Sequence, residues 1–348
     1  MERRQFLKIA ACGAAGAALG LPRLAPGRAA DLAECHWAWT RPPADADEAA
    51  LRTHFASFAA AGVSRLILPP PSAGAARAAR AEGLELHAWW WTLCRGDADL
   101  LRDHPDWYVV SREGKSSADH PPYVGYYHFL CPTREEVRAF LRGQVAATLQ
   151  DDALAGLSLD YIRFPDVILP RALWAKYGLV QDEELPPYDF CYCPACRAAF
   201  RAEAGIDPLE LPDPPADRAW RRFRWNAVTR LVNELAEVVR GQGRVVTASV
   251  FPTPAIARRL VRQDWPAWNL DAVLPMVYHG FYEEPVAWIR DAVAEGVAAL
   301  PASRPLYAGL YLPDLSDEAA FAQAVAAARA GGARGVALFG GVRPVPAR

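Results

Sequence analysis

The sequence predicts a (β/α)8 TIM barrel with long insertions after its third and fourth strands. Three observations carry this reading. Eight short β-branched or aromatic runs alternate with Ala-rich helical stretches. The intervals between runs are long enough for the crossovers that parallel pairing needs. The runs are also apolar enough to be buried on both faces, as strands of a parallel barrel are. A doubly wound open sheet ranks second, because no run is followed by a phosphate turn of the GxGxxG kind.

In order, the candidate strands are 34–39 (ECHWAW), 65–70 (RLILPP), 85–93 (ELHAWWWTL) and 156–163 (GLSLDYIR). Four more follow at 244–251 (RVVTASVF), 271–279 (DAVLPMVYH), 305–312 (PLYAGLYL) and 335–341 (GVALFGG). Between them 134–150 reads as a helix, with Val137, Leu141 and Val145 at four-residue spacing. So do 218–240, 285–299 and 317–330. The third, fourth and fifth runs begin at 85, 156 and 244, much further apart than the others. The excess forms two insertions. The first, 94–133, is rich in Tyr and His; the second, 164–217, holds Pro, acids and a tight Cys cluster. Both follow strand ends on the face where barrel enzymes place their chemistry.

Composition bounds the rest. The chain has 348 residues, 52% of them hydrophobic and 22% charged, which excludes a disordered chain and a membrane bundle. Lys and Arg number 38 against 40 Asp and Glu, a balance that argues against a nucleic-acid partner. A chain of this size buries a core large enough to fold without disulfides or metal. Residues 1–30 read as an address: Glu2-Arg3-Arg4, an apolar stretch from Ile9 to Leu21, then Gly27-Arg28-Ala29-Ala30. Arg3-Arg4-Gln5-Phe6-Leu7-Lys8 is similar to the twin-arginine motif, whose machinery exports folded proteins. Ile9-Ala10-Ala11-Cys12 is similar to a lipoprotein box, but it leaves an apolar region far shorter than the usual signal core. Without this segment the chain is mildly acidic and has no run of about 18 apolar residues that could span a membrane. The expectation is therefore a periplasmic or secreted protein, 31–348, forming a single barrel domain.

The chemistry concentrates at strand ends. Asp160 closes the fourth strand in Leu159-Asp160-Tyr161-Ile162-Arg163, a position suited to a nucleophile or a charge stabiliser for an oxocarbenium-like transition state. Its structural reading is a loop tie to Arg163, and Arg163 itself could clamp a substrate or tie the loop. Trp37 and Trp39 close the first strand, His87 and Trp89, Trp90 and Trp91 occupy the third, and Tyr278 and His279 close the sixth. Such rings can stack on pyranose faces, with His and Tyr supplying hydrogen bonds, or they can fill the barrel. Strand alternation turns Trp90 away from Trp89 and Trp91.

Several of these residues belong to longer motifs. Ala155-Gly156-Leu157-Ser158-Leu159-Asp160-Tyr161-Ile162-Arg163-Phe164-Pro165 resembles the DGIHFDYIRYP signature of the family-10 glycosyl-hydrolase-like proteins. Cys131-Pro132-Thr133-Arg134-Glu135-Glu136-Val137-Arg138, His104-Pro105-Asp106-Trp107, Gln263-Asp264-Trp265-Pro266-Ala267-Trp268 and Leu274-Pro275-Met276-Val277-Tyr278 match further elements in order. The resemblance covers about half the chain. It implies an exported bacterial barrel acting on a polysaccharide, with Asp160 as catalytic carboxylate and Tyr161, Arg163 and Tyr278 lining the site. Ala155 stands where the signature has an acid.

Glycoside hydrolysis generally uses a second carboxylate. No other strand ends in an acid. Glu283 is the chosen partner, with Glu284, Asp314, Asp166 and Asp97 as further loop candidates. Glu284 and Asp314 also suit helix starts, and Asp264 precedes the sixth strand and reads as a cap or tie. A sugar acetamido group could also stand in for the second carboxylate.

Cys191, Cys193 and Cys196 lie within six residues. They can hold a structural zinc if Cys131, His128 or another ligand joins them, or they can pair as disulfides. His36, His87 and His279 sit on three strands without HxH or HExxH spacing, so no metal or other cofactor is expected in catalysis. The sequence thus points first to a glycoside hydrolase, with a carbohydrate as partner. A non-catalytic glycan-binding barrel is the alternative, and a Cys/His metal hydrolase a third.

Overall fold

The computed structural model describes residue 32 and residues 35–347. Residues 1–30, where the sequence leads us to expect an export segment, lie outside them. Eight parallel strands appear where the sequence places them: β1 (His36–Trp39), β2 (Val63–Leu68), β3 (Glu85–Trp91), β4 (Leu154–Asp160), β5 (Val245–Val250), β6 (Ala272–Pro275), β7 (Tyr307–Tyr311) and β8 (Gly335–Phe339). Neighbours in the chain are neighbours in the sheet, and β8 pairs back onto β1 through Trp37 with Ala337 and Ala38 with Leu338. Two parallel bridges, Val273 with Leu306 and Met276 with Gly309, join β6 to β7 and complete the barrel. Gly309 permits that seam, because a Cβ there would stand 2.9 Å from the Pro275 carbonyl oxygen.

The two faces of each strand pack differently. Leu66, Ala88, Trp90, Leu157, Leu159, Val246 and Ala248 turn outward into the core shared with the helices. The longest of these helices, Arg218–Gly241, is capped by Asp217, which accepts the Trp220 N–H over 2.7 Å. It presents Val228, Leu231, Val232, Leu235 and Val239 to the sheet at three- and four-residue spacing. Trp37, Ile67, Val245, Leu274, Tyr307 and Ala337 turn inward and fill the barrel. Trp90 packs in the outer cluster and Trp89 against the inner one, as the alternation predicts, whereas Trp91, at the strand end, packs against the outer cluster.

The insertions are ordered and joined to each other. The first folds back on itself through antiparallel bridges of Cys94 with Phe129 and Tyr108 with Leu130. It meets the second through Ser111 and Phe190. Next to that bridge the buried Asp189 carboxylate faces two fully buried guanidiniums, Arg224 and Arg262. Burial opposes ionisation of Asp189, but the two arginines and the Tyr192 hydroxyl hold its carboxyl below the usual range. No helix among the described residues is long and apolar enough to cross a membrane.

Candidate active site

Asp160 is the last residue of β4, so the pleat aims its side chain into the barrel mouth. Its Oδ2 accepts the indole Nε1–H of Trp89 over 2.7 Å, and its Oδ1 accepts the backbone N–H of Tyr161 over 2.7 Å. Tyr161 holds φ at 48°, a left-handed conformation unusual for an aromatic residue. Burial pushes the Asp160 carboxyl above its ordinary range, against the lowering by the two donors and Arg163. The carboxylate is therefore fixed in position, partly desolvated and still partly exposed.

An aromatic rim surrounds it. Trp91 packs 4.5 Å from Tyr161 and 6.5 Å from Trp89. Trp89 contacts Phe339 at 6.2 Å, and Phe339 stacks on Tyr278 at 5.9 Å. Tyr311 lies 5.5 Å from Tyr278 and 5.8 Å from Phe339. The Arg41 guanidinium sits 4.8 Å above Trp89. All these rings are partly exposed and stand at or just past the carboxyl ends of β3, β4, β6, β7 and β8. Asp160 burdens ionisation of the Tyr278 hydroxyl, which burial already pushes well above its ordinary value. Tyr278 therefore stays a neutral hydrogen-bonding phenol.

Of the residues singled out by sequence, Asp160, Trp89, Tyr161 and Tyr278 come together at the mouth. His279 lies on the same rim, half-buried, with the Asp314 carboxylate as its charged neighbour. Three expectations are corrected. Trp37 and His87 are fully buried inside the barrel, their rings 4.6 Å apart, and cannot meet a ligand at the mouth. They sit one inward layer or more below the strand ends, where side chains fill the barrel. Gly156 makes room for this, since a Cβ there would stand 2.5 Å from His87 Nδ1. Arg163 is the loop tie of its two readings: it is buried, pairs with Asp166 at 2.8 Å and reaches the Tyr127 hydroxyl at 3.3 Å.

Glu283 sits in the turn after β6 with φ 58° and is exposed, and no contact among the described residues links it to Asp160. Asp264 is a tie, as read, paired with Arg258 at 2.7 Å. Its neighbour Gln263 has a positioning role that its sequence context does not reveal. It accepts the Phe251 N–H (2.9 Å) and donates to the Ile162 carbonyl (3.2 Å), joining the loops after β4 and β5. Phe339 and Tyr311 join the rim beside the residues that the sequence points to. Each is an aromatic residue ending its strand, as Trp91 ends β3.

No family model and no curated protein matches this chain. Solved structures do. A β-galactosidase from the haloarchaeon Halorubrum lacusprofundi aligns with a TM-score of 0.61 at 14% identity, over 87% of this chain and 52% of that one. A β-galactosidase from Marinomonas ef1 gives 0.59 at 13%, over 87% and 53%. The catalytic domain of a β-amylase from Paenibacillus polymyxa gives 0.57 at 12%, over 88% and 92%. The fold is a TIM barrel of the kind found in glycoside hydrolases. The chain spans about half the length of the β-galactosidases and nearly all of the β-amylase domain. At these identities the likeness is one of fold.

Proposed function

We propose that this protein is an exported glycoside hydrolase of the family-10-like group, acting on a polysaccharide or oligosaccharide, with cell-wall glycan among the substrates to test. The observation that carries the reading is the Asp160 carboxylate, clamped by Trp89 and Tyr161 at the centre of an aromatic rim. Its two oxygens are oriented by donors, so one lobe can attack or electrostatically stabilise an anomeric carbon while rings grip the apolar sugar faces. Two rim carboxylates compete for the proton-donating role. Glu283 is exposed in the turn after β6. Asp314, after β7, has its carboxyl raised by partial burial despite His279, which favours the protonated form a general acid needs.

The test is reducing-end release from a glycan panel by wild type, Asp160→Asn, Glu283→Gln and Asp314→Asn. Loss in Asp160→Asn and in one of the other two supports the reading and names the acid. Equal release by Asp160→Asn and wild type sinks it. The burial of Asp166 against Arg163 and the exposure of Glu283 favour a second reading, a barrel that binds glycan without cleaving it. That reading predicts saturable oligosaccharide binding and no product. Export is tested separately, by fractionating cells that express the full chain or its Arg3→Lys/Arg4→Lys variant.

A further inference from the structure

We propose that Cys131, Cys191, Cys193 and Cys196 form a tetrathiolate site for one zinc ion, which staples the two insertions of the barrel together. All four side chains are buried, and their sulfurs lie within 4.8 Å of one another. Cys131 Sγ is 3.4 Å from Cys196 Sγ and 3.6 Å from Cys193 Sγ. Four thiolates bound to one zinc at about 2.3 Å stand about 3.8 Å apart along the edges of a tetrahedron. A disulfide needs its two sulfurs at about 2.05 Å, and the six described cysteines are all free. The four sulfurs are thus grouped as a set of four, not as two pairs.

The surroundings suit anionic sulfur. Cys191 Sγ accepts N–H groups from Val110 at 3.4 Å and Cys193 at 3.5 Å, bonds that a thiolate takes more strongly than a thiol. Cys193 caps the helix Pro194–Ala204 and Cys196 lies in its first turn, where unpaired N–H groups favour negative charge. The Thr133 hydroxyl stands 3.2 Å from Cys196 Sγ. Loading converts four thiols and Zn²⁺ into a Zn(S)4 unit of charge −2 and releases four protons, with no oxidant or reductant required.

The ligands come from both insertions. Cys131 is held in the first, its N–H donating to the Trp107 carbonyl over 2.8 Å. The other three belong to the second. Four protein ligands leave no open position, so the ion would be structural and not a hydrolytic metal. Its effect would be to fix the Ser111–Phe190 junction between the two loops.

Metal content of the full chain, purified without chelator, tests the site. One zinc per chain, released in step with titration of four thiols by an organomercurial, is the expected result. Cys193→Ser should lose the zinc, whereas Cys35→Ser, outside the cluster, should keep it. If Cys193→Ser does not fold, cobalt substitution of wild type keeps the proposal testable. Tetrahedral thiolate cobalt gives sulfur-to-metal charge-transfer and intense d–d absorption. Absence of metal with all seven thiols of the full chain reactive after denaturation, iron in place of zinc, or only three free thiols would each overturn it. None of these readouts depends on glycosidase activity.

Discussion

Trp89 donates its indole N–H to the Asp160 carboxylate across the β3–β4 pair, at 2.7 Å. Strand register delivers this contact, since Trp89 pairs with Ser158 and Trp91 with Asp160, which leaves the Trp89 indole free to lean up to the last residue of β4. The same ring contacts Phe339 and carries Arg41, so one side chain both orients the carboxylate and forms part of the rim.

Trp89→Phe keeps a ring but removes the donor. That bond lowers the Asp160 pKa, so its loss should raise it further. If Asp160 acts as a carboxylate, the acid limb of kcat should move to higher pH. Activity at neutral pH should fall by roughly 10- to 100-fold, the scale of a lost oriented hydrogen bond at a reacting charge. A pH profile of glycan release checks both. An unmoved acid limb would separate Trp89 from the chemistry.

Asp160 also links stability to pH. Its folded pKa is raised, so between the ordinary carboxylate value of about 3.9 and the folded value the native state binds more protons than the unfolded chain. Its contribution to stability is therefore greatest in acid and falls as pH rises through that window. Asp160→Asn does not titrate. Wild type should lose stability relative to the variant on going from pH 4 to pH 7, measured by urea denaturation at both. A difference independent of pH would mean the carboxylate is not desolvated.

His87 works in the opposite direction. Burial, reinforced by Arg65, lowers it from 6.5 to about 3, and neither ring nitrogen has a hydrogen-bond partner among the described residues. The unfolded chain protonates this group first. Stability should therefore be intact above pH 6.5 and drain away as pH falls toward 3, at up to roughly 1.4 kcal/mol per pH unit. His87→Phe, which fills the same space beside Trp37, should remove that acid slope. Superimposable stability curves for wild type and variant below pH 6 would contradict it.

How far the sequence could be read differs by level. Strand positions were legible because parallel barrel strands bury both faces and leave apolar runs. The mouth was legible at Asp160 and Trp89 because a polar or aromatic residue ending such a run stands out. The depth of a residue within the barrel was not. His87 and Trp37 lie on the inward face, as Trp89 does, but periodicity fixes which face a side chain takes and not its layer. Only the stagger of the strands, set by pairings such as His87 with Gly156, places them below the mouth. Arg163 could not be resolved either, since its choice of Asp166 over a ligand depends on how the loop turns after Tyr161.

That turn supplies the sharpest stability test. Arg163 is buried, bonded to Asp166 at 2.8 Å and surrounded by the rings of Tyr127, Phe129, Tyr161 and Phe251. Removing the carboxylate leaves a desolvated cation whose remaining hydrogen-bond partners among the described residues are the Phe164 carbonyl and the Tyr127 hydroxyl. Asp166→Ala should therefore cost about 3 to 5 kcal/mol, the scale for breaking a buried pair from one side. Arg163→Met/Asp166→Leu removes both charges and should recover most of the loss, because well-packed apolar groups can replace such a pair at little cost. Chemical denaturation of the three proteins measures this. If the double variant is as unstable as Asp166→Ala, the ion pair itself, and not the stranded charge, holds the loop on which Tyr161 and Asp160 are set.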